Sequence, residues 1–293
     1  MKYWIQAFRL RTLPLALSSI IMGATIALYD DSFRLNVFVL SIVTTIFLQI
    51  LSNLANDYGD SQNGADNIER KGPSRAVQSG EISSKAMYKA IIIFVFLSLI
   101  AGLGLLYTAF SIDEMKYVLM FFILGIASII AAIKYTAGDN PYGYAGLGDI
   151  SVFVFFGLLG VVGSAYLHSK VFDWMMLLPG VTIGALSTGV LNVNNLRDID
   201  SDKVAGKYSI PVRIGERKAK IYHVLLLAFG LDTLWIYAFF NNWSYYFLLG
   251  FPFIFYHIYI SWVTDRENYD PLLKQLALST FLLSLLCLVG GII

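Results

Sequence analysis

The sequence predicts an all-α membrane protein in which nine transmembrane helices form a single bundle. Its 293 residues are 57% hydrophobic and only 14% charged, which argues against an ordinary soluble enzyme. Long apolar runs separate the charges, and almost all the basic residues fall on alternate connections between these runs. A charge at the centre of a bilayer costs roughly 2.5 to 3.5 kcal/mol, so uncharged runs of sufficient length mark membrane spans.

The spans follow from the lengths of the uncharged runs, because a helix needs about 20 apolar residues to cross a bilayer. The longest run, 221–264, is broken by Asp232 and by the polar step Asn241-Asn242-Trp243-Ser244, and it therefore predicts two helices. All the helices are assigned to one domain, residues 1–293. They are expected at about 12–29, 35–56, 90–112, 117–133, 150–167, 174–196, 221–240, 244–264 and 275–293.

The distribution of basic residues predicts the orientation. If the N terminus is cytoplasmic, only Arg34, Lys116 and Lys170 of the 21 lysines and arginines lie outside. The positive-inside rule therefore places the N terminus in the cytoplasm and the C terminus outside. Two long cytoplasmic connections follow the second and sixth helices, and this spacing predicts two four-helix pseudo-repeats plus one helix. A net charge of +1 gives no basis for nucleic-acid binding.

The second predicted helix ends in a cluster of oxygen-bearing side chains. Four of them share one helical face by their spacing: Asn53, Asn56, Asp57 and Asp60. Gly64 then permits a turn that lets Asp66 and Glu69 fold back, and a basic segment from Arg70 to Arg75 follows.

The sixth predicted helix ends in a similar cluster. Asn194, Asp198 and Asp202 repeat every four residues along one face, and Asn195 is adjacent. Basic residues again follow, namely Lys203, Lys207 and Arg213.

Oxygen ligands without histidine or cysteine suit a hard cation, Mg²⁺ or Ca²⁺. Crowded carboxylates repel one another unless a cation neutralises them, and Mg²⁺ commonly keeps positions that substrate phosphates fill. The lysines and arginines beyond the carboxylates can bind the same phosphates. Either cluster alone could be a solvated helix end, but two such clusters on one side of the membrane predict a diphosphate site.

These segments resemble the UbiA superfamily of intramembrane aromatic prenyltransferases, which carry two aspartate-rich motifs on cytoplasmic loops. Its 1,4-dihydroxy-2-naphthoate polyprenyltransferase branch is the most similar. The matching runs are Asn53–Asp60 (NLANDYGD), Gly72–Gly80 (GPSRAVQSG), Tyr142–Asp149 (YGYAGLGD), Asn194–Asp202 (NNLRDIDSD) and Val212–Gly215 (VRIG). Gly64 stands where the wider superfamily often has its last aspartate, and the branch pattern suggests that Asp66 takes its place. Leu10 stands where proline is common.

The resemblance implies an enzyme of the bacterial cytoplasmic membrane with its active site on the cytoplasmic side. It would transfer a polyprenyl group from polyprenyl diphosphate to 1,4-dihydroxy-2-naphthoate in the lipid bilayer, with Mg²⁺ as cofactor. Loss of CO₂ and diphosphate would give a demethylmenaquinone for menaquinone biosynthesis. The implied metal ligands are Asn56, Asp57, Asp60, Asp66, Asp198 and Asp202.

The remaining site residues are expected to bind the substrates or to activate the acceptor. Diphosphate clamps would be Arg75, Lys134, Lys207 and Arg213, and further substrate contacts would come from Asn53, Asn194 and Asn195. A group that deprotonates or hydrogen-bonds the ring hydroxyl would raise the nucleophilicity of the acceptor. Asp149, Tyr135 and Asp200 are candidates for this role, in no order.

Other functions stay open at this point. The same chemistry could use another acceptor, such as 4-hydroxybenzoate, a chlorophyllide or a haem. Nine helices with a repeat and a mid-helix Asp232 would also fit a secondary transporter, and a structural membrane subunit is the remaining alternative. For Asp232 itself a neutral or hydrogen-bonded packing role is favoured, and His168, His223 and His257 are expected at interfaces or in packing.

Overall fold

The structure is a computed structural model that describes residues 2–63 and 75–293. The predicted ligand Asp66, with Gly64, Glu69 and Arg70, lies outside these residues. Within them, nine helices are long and apolar enough to cross a membrane, as expected. They are α1 (Lys2–Tyr29), α2 (Leu35–Gln62), α3 (Ser84–Ala109), α4 (Ile112–Lys134), α5 (Gly148–Ser169), α6 (Trp174–Arg197), α7 (Glu216–Phe240), α8 (Tyr245–Val263) and α9 (Asp270–Ile292).

The first helix begins earlier than the apolar run and is interrupted once. Residues Lys2–Phe8 form two turns, and Arg9 then adopts a left-handed conformation with a φ of 48°. This conformation is uncommon outside glycine, and it ends the first segment. The helix resumes at Leu13 with Pro14 in its first turn, where the missing N–H of proline costs no hydrogen bond. The short segment packs against α2.

The core of the second half of the chain lies where α6 packs against α5 and α7. Glycines allow α5 and α6 to approach closely: a Cβ on Gly157 would lie 2.5 Å from the Gly180 carbonyl oxygen and 2.7 Å from Gly184 Cα. Small residues at four-residue spacing are the usual means of close helix packing in membranes. Residues Phe153–Gly163 of α5 are π-helical at this contact.

The last helix closes the bundle by packing along the first. Near one end of the pair, the Tyr29 hydroxyl lies 2.9 Å from Ser244 Oγ, which donates a hydrogen bond of 2.9 Å to the Gly290 carbonyl. Near the other end, Arg11 of α1 pairs with Asp270 of α9 at 3.4 Å. Both ends of the α1–α9 contact are therefore fixed by polar interactions.

Polar residues inside the helices have different environments. His223 and His257 are buried with their Nε2 atoms 3.1 Å apart, and Gln275 Oε1 lies 3.0 Å from His257 Nδ1, so these histidines pack in the core. The packing role predicted for Asp232 is wrong, because its side chain is exposed on α7 and has no hydrogen-bond or ion-pair partner among the described residues.

If all nine of these helices cross, the two ends of the bundle lie on opposite sides of the membrane. Which side faces the cytoplasm is predicted by the basic residues alone. The two four-helix pseudo-repeats and the single domain also stay predictions.

Candidate functional site

A cavity of about 930 Å³ lies within the bundle and is lined by α1 to α6 and α9. Leucine, isoleucine, phenylalanine and alanine make up about two fifths of its lining residues. At one end the lining becomes polar, and this end receives both predicted clusters through Asn53, Asn56, Asp57, Asp60, Arg75, Asn194, Arg197 and Lys207. One end can therefore hold a charged group while the rest accommodates an apolar chain.

The first cluster is built on the last turns of α2. Asp60 is buried; it accepts a hydrogen bond of 2.8 Å from the Tyr144 hydroxyl and forms an ion pair with Arg75. Arg75 Nη1 also donates to the Asn56 carbonyl oxygen at 2.5 Å. Asp57, one turn earlier, has main-chain partners instead: its two oxygens accept from Ala76 N at 3.1 Å and Val77 N at 3.2 Å.

The two asparagines of α2 connect the cluster to neighbouring segments. Asn53 Nδ2 donates to the Phe8 carbonyl at 2.8 Å and to Thr12 Oγ1 at 3.0 Å, which holds the break in α1 against α2. Asn56 Oδ1 accepts from Thr136 Oγ1 at 3.1 Å. Gly59 makes this last contact possible, because a Cβ there would lie 2.5 Å from the Thr136 carbonyl carbon.

The second cluster begins with a buried arginine at the end of α6. Arg197 donates to both oxygens of Asp198, from Nε at 2.8 Å and Nη2 at 2.7 Å, which is the bidentate geometry that guanidinium and carboxylate favour. Its remaining bonds go to Asp270 Oδ1 of α9 at 2.6 Å and to Asn194 Oδ1 at 3.0 Å. Arg197 is only 4% exposed, so this network is largely shielded from solvent.

Asp202 lies one turn beyond, in the short helix Ile199–Val204. Lys207 Nζ is 3.1 Å from its Oδ1, and Ser209 Oγ is 3.3 Å from its Oδ2. Burial raises the pKa of Asp202 above its usual value, and the negative charges of Asp198 and Asp60 act in the same direction against the effect of Lys207. Asp60 and Lys207, the partner of Asp202, both line the polar end of the cavity, so the two clusters meet there.

Two tyrosines lie between the clusters. Burial raises the pKa of Tyr144 well above 10, with Asp60 as the next cause and Asp202 contributing. Burial likewise raises the pKa of Tyr135, helped by Asp149 and Asp60. Tyr135 lines the cavity. Both hydroxyls therefore stay protonated and can donate hydrogen bonds, whereas neither is suited to accept a proton as a base.

The donors fit Mg²⁺ bound together with a diphosphate. Among the described residues, no group of three or more His, Cys, Asp and Glu side chains is arranged to hold a metal by itself. Mg²⁺ is usually bound by one or two carboxylates and completed by substrate phosphates and water. Asp60 and Asn56 supply such a partial set of oxygen ligands at the polar end of the cavity. Asp198 and Asp202 do not line the cavity themselves, but their partners Arg197 and Lys207 do.

Some predicted site residues lie away from the cavity. Lys134 is exposed and Asn195 is buried, but neither lines it. Arg213 donates to the Tyr208 carbonyl at 2.9 Å and the Ala145 carbonyl at 2.6 Å, so it joins two connecting segments.

Two of the candidate acceptor bases also face other partners. The Asp149 carboxylate accepts from the Tyr222 hydroxyl at 2.9 Å, and Asp200 pairs with Arg266 at 2.7 Å on the surface. The roles predicted for these residues and for Lys134, Asn195 and Arg213 are not supported by their positions.

The structure adds residues that were not predicted. Tyr144 and Thr136 contact the first cluster from more than 70 positions along the chain. Tyr144 belongs to the matching run Tyr142–Asp149, but the local sequence does not show that it contacts Asp60. Arg197 could have been identified from the sequence as a site residue, since a basic residue inside an acidic run is unusual. Its partner Asp270 was not, because it comes from a helix without an acidic cluster.

Comparisons with known proteins are consistent with this geometry. Residues 16–288 match the model of the UbiA prenyltransferase family. The chain is 41% identical to a 1,4-dihydroxy-2-naphthoate octaprenyltransferase of Haemophilus influenzae, with 100% of this chain and 96% of that protein aligned. It is 43% identical to the protein of the same name in Escherichia coli, with 98% and 94% aligned.

Two solved structures share the fold at low identity. A UbiA homolog from Aeropyrum pernix has a TM-score of 0.68 at 15% identity and covers 95% of this chain and 96% of its own. A UbiA homolog from Archaeoglobus fulgidus, bound to DMAPP and Mg²⁺, has a TM-score of 0.62 at 19% identity, with 97% of each chain covered. The family match and the full-length relatives together establish that the chain belongs to the UbiA prenyltransferase family.

Proposed function

We propose that the protein transfers a polyprenyl group from polyprenyl diphosphate to 1,4-dihydroxy-2-naphthoate. The carbon–oxygen bond to diphosphate breaks, a carbon–carbon bond to the acceptor ring forms, and the ring carboxylate leaves as CO₂. The product is the quinol form of a demethylmenaquinone, so the transfer requires no oxidant. The observation that carries this proposal is that the two acidic clusters meet at the polar end of a large cavity. The names of the full-length relatives support naphthoate as the acceptor.

Mg²⁺ is the proposed cofactor, held by Asp60 and Asn56 on one side and by Asp198 and Asp202 on the other. Bound Mg²⁺ would supply positive charge that stabilises the departing diphosphate. The oxygen-only donor set supports this choice, as does the Mg²⁺ bound by the A. fulgidus homolog. Asp66, which lies outside the described residues, remains a predicted ligand.

Arg75 and Lys207 are the proposed diphosphate ligands. Each lines the cavity, and each forms an ion pair with a carboxylate of one cluster, Arg75 with Asp60 and Lys207 with Asp202. These positions support a role in which both side chains would bind phosphate oxygens beside the carboxylates. A guanidinium or ammonium group so placed can neutralise charge as it develops on the leaving diphosphate.

The apolar part of the cavity would hold the prenyl chain and exclude water. Phe121, Phe155 and Phe156 contribute rings to its wall. A developing allylic cation would be stabilised by the faces of such rings and protected from hydrolysis by the absence of nearby water.

The acceptor requires groups for its hydroxyls and its carboxylate. Tyr135 lines the cavity with a protonated hydroxyl and is the proposed hydrogen-bond donor to the ring. Lys274 of α9 lines the same cavity and pairs with no carboxylate among the described residues, unlike Arg75, Arg197 and Lys207. We therefore assign the acceptor carboxylate to Lys274.

The protein is an integral membrane protein. The bacterial cytoplasmic membrane is its proposed location, with the polar end of the cavity on the cytoplasmic side. The support is the charge distribution: the connections that adjoin the two clusters carry most of the basic residues, and such connections stay in the cytoplasm.

A transfer assay tests the proposal. Purified protein in detergent is given a polyprenyl diphosphate and 1,4-dihydroxy-2-naphthoate, and the release of CO₂ and diphosphate is followed together with the prenylated product. We expect all three with Mg²⁺. Turnover with 4-hydroxybenzoate but not with naphthoate would support prenyl transfer and refute 1,4-dihydroxy-2-naphthoate as the acceptor. No release of diphosphate with any acceptor would refute the function.

A further inference from the structure

The first cluster contains two aspartates with different partners. Asp60 contacts side chains, Arg75 and Tyr144, whose bonds can rotate. Asp57 contacts the main chain, because its two oxygens accept from the consecutive N–H groups of Ala76 and Val77. Asp57 is 2% exposed, so water does not replace these bonds.

The segment that Asp57 binds is a compact turn. Ser79 N donates to the Arg75 carbonyl at 2.9 Å, Gly80 N to the Val77 carbonyl at 3.1 Å and Ile82 N to the Ala76 carbonyl at 3.0 Å. Gly80 has a φ of 75°, which glycine adopts without strain. The turn is therefore closed on itself, and Asp57 attaches its main chain to α2 through Ala76 and Val77.

Arg75 immediately precedes the two N–H groups that Asp57 holds. Its guanidinium reaches back to Asp60 and to the Asn56 carbonyl, both on the same helix. Fixing Ala76 and Val77 also fixes the position of the Arg75 backbone. If Ala76 and Val77 were released from Asp57, the adjacent Arg75 backbone would be free to move. The Arg75 guanidinium would then move away from Asp60 and the Asn56 carbonyl.

We infer that Asp57 is a positioning residue, which anchors the 75–80 turn and so places Arg75 at the diphosphate, while Asp60 binds the metal. This inference rests on the proposed function for the role of Arg75. The anchoring itself is a property of the folded chain and can be measured without turnover.

The test compares Asp57→Asn with Asp60→Asn in the full-length protein. The asparagine at 57 offers one accepting oxygen and turns an NH₂ group towards an N–H donor. We expect hydrogen exchange of the amides in 75–82 to rise roughly tenfold or more. The KM for polyprenyl diphosphate should rise by a similar factor, and Mg²⁺ affinity, titrated calorimetrically with inorganic diphosphate present, should change less than about threefold.

Asp60→Asn should give the opposite pattern: Mg²⁺ affinity falls roughly tenfold or more, and exchange in 75–82 stays as in the wild type. Arg75→Gln supplies a second test that leaves Asp57 intact. If Asp57 acts through Arg75, the double variant Asp57→Asn/Arg75→Gln should have the same KM for the diphosphate as Arg75→Gln alone.

Two results would overturn the inference. One is a loss of Mg²⁺ affinity in Asp57→Asn equal to that in Asp60→Asn, with unchanged exchange in 75–82. The other is additive effects of the Asp57 and Arg75 substitutions on KM. If the wild type released no diphosphate, the proposed function would fail instead, and the exchange measurement would still decide whether Asp57 anchors the turn.

Discussion

The contact between Gly59 and Thr136 gives a sharp test of how the first cluster is positioned. Gly59 lies between Asp57 and Asp60 on α2, and Gly59→Ala would place a methyl group 2.5 Å from the Thr136 carbonyl carbon and 2.6 Å from its oxygen. These are main-chain atoms, so no side-chain rotation relieves the clash. Thr136 is also held by its bonds to the Ala55 carbonyl and Asn56 Oδ1.

The size of the effect follows from the distances. Ordinary contact begins at 3.4 Å, so α2 and the segment after α4 must separate by about 0.9 Å at this point. Such overpacking costs about 1 to 3 kcal/mol, against a gain of at most about 1 kcal/mol when alanine replaces glycine in a helix. A displacement of this size beside Asp60 should lower the transfer rate by up to about a hundredfold.

The assay is the rate of diphosphate release together with the thermal unfolding temperature in detergent. Gly104→Ala on α3 is the matched control, because a Cβ there meets nothing within 4 Å. We expect the control to keep its rate and to unfold at the same temperature or higher. If Gly59→Ala were as fast and as stable as Gly104→Ala, the close approach of α2 to Thr136 would not position the site.

Three further predictions concern the metal, the buried arginine and the acceptor. Treatment with EDTA should abolish diphosphate release and added Mg²⁺ should restore it, so full activity in EDTA would contradict the assignment of Asp60 and Asp202. Arg197→Lys should lower the unfolding temperature, because lysine cannot form the bidentate contact with Asp198 and leaves a partner unpaired. The expected loss of stability is roughly 1.5 to 3 kcal/mol. An unchanged unfolding temperature would show that the Arg197 network adds nothing to stability. Lys274→Gln should raise the KM for the naphthoate roughly tenfold and leave that for the prenyl diphosphate unchanged. An equal change in the control Lys218→Gln, at an exposed position of α7, would refute this.

Much of the fold was predictable because the bilayer imposes a simple rule on sequence. Charges are excluded from its centre, so uncharged runs locate all nine helices of the described residues. The ends of the helices were harder to predict. Helix α2 continues to Gln62 and α3 begins at Ser84, because helices extend past the apolar region wherever polar side chains find partners there.

The site was predictable in part for a similar reason. Helical spacing placed Asn53, Asn56, Asp57 and Asp60 on one face, and all four line the cavity. Spacing says nothing of contacts between distant segments, and these contacts decide that Asp149 turns towards Tyr222.

Contacts with distant segments also distinguish the residues that were predicted to bind the diphosphate. Arg213 binds the Ala145 carbonyl, whereas Lys207 stays beside Asp202 in the cavity. Basic residues of one connecting segment look equivalent in sequence, and only the packed loops distinguish them.

The pairing of Asp270 with both Arg11 and Arg197 has a consequence for biosynthesis. Helices enter the membrane in chain order, so a nascent chain with eight inserted helices already contains both acidic clusters. It still lacks Asp270, and with it one carboxylate partner of Arg197 and the α9 part of the cavity wall. The site is therefore completed by the insertion of α9, after both acidic clusters have been synthesised.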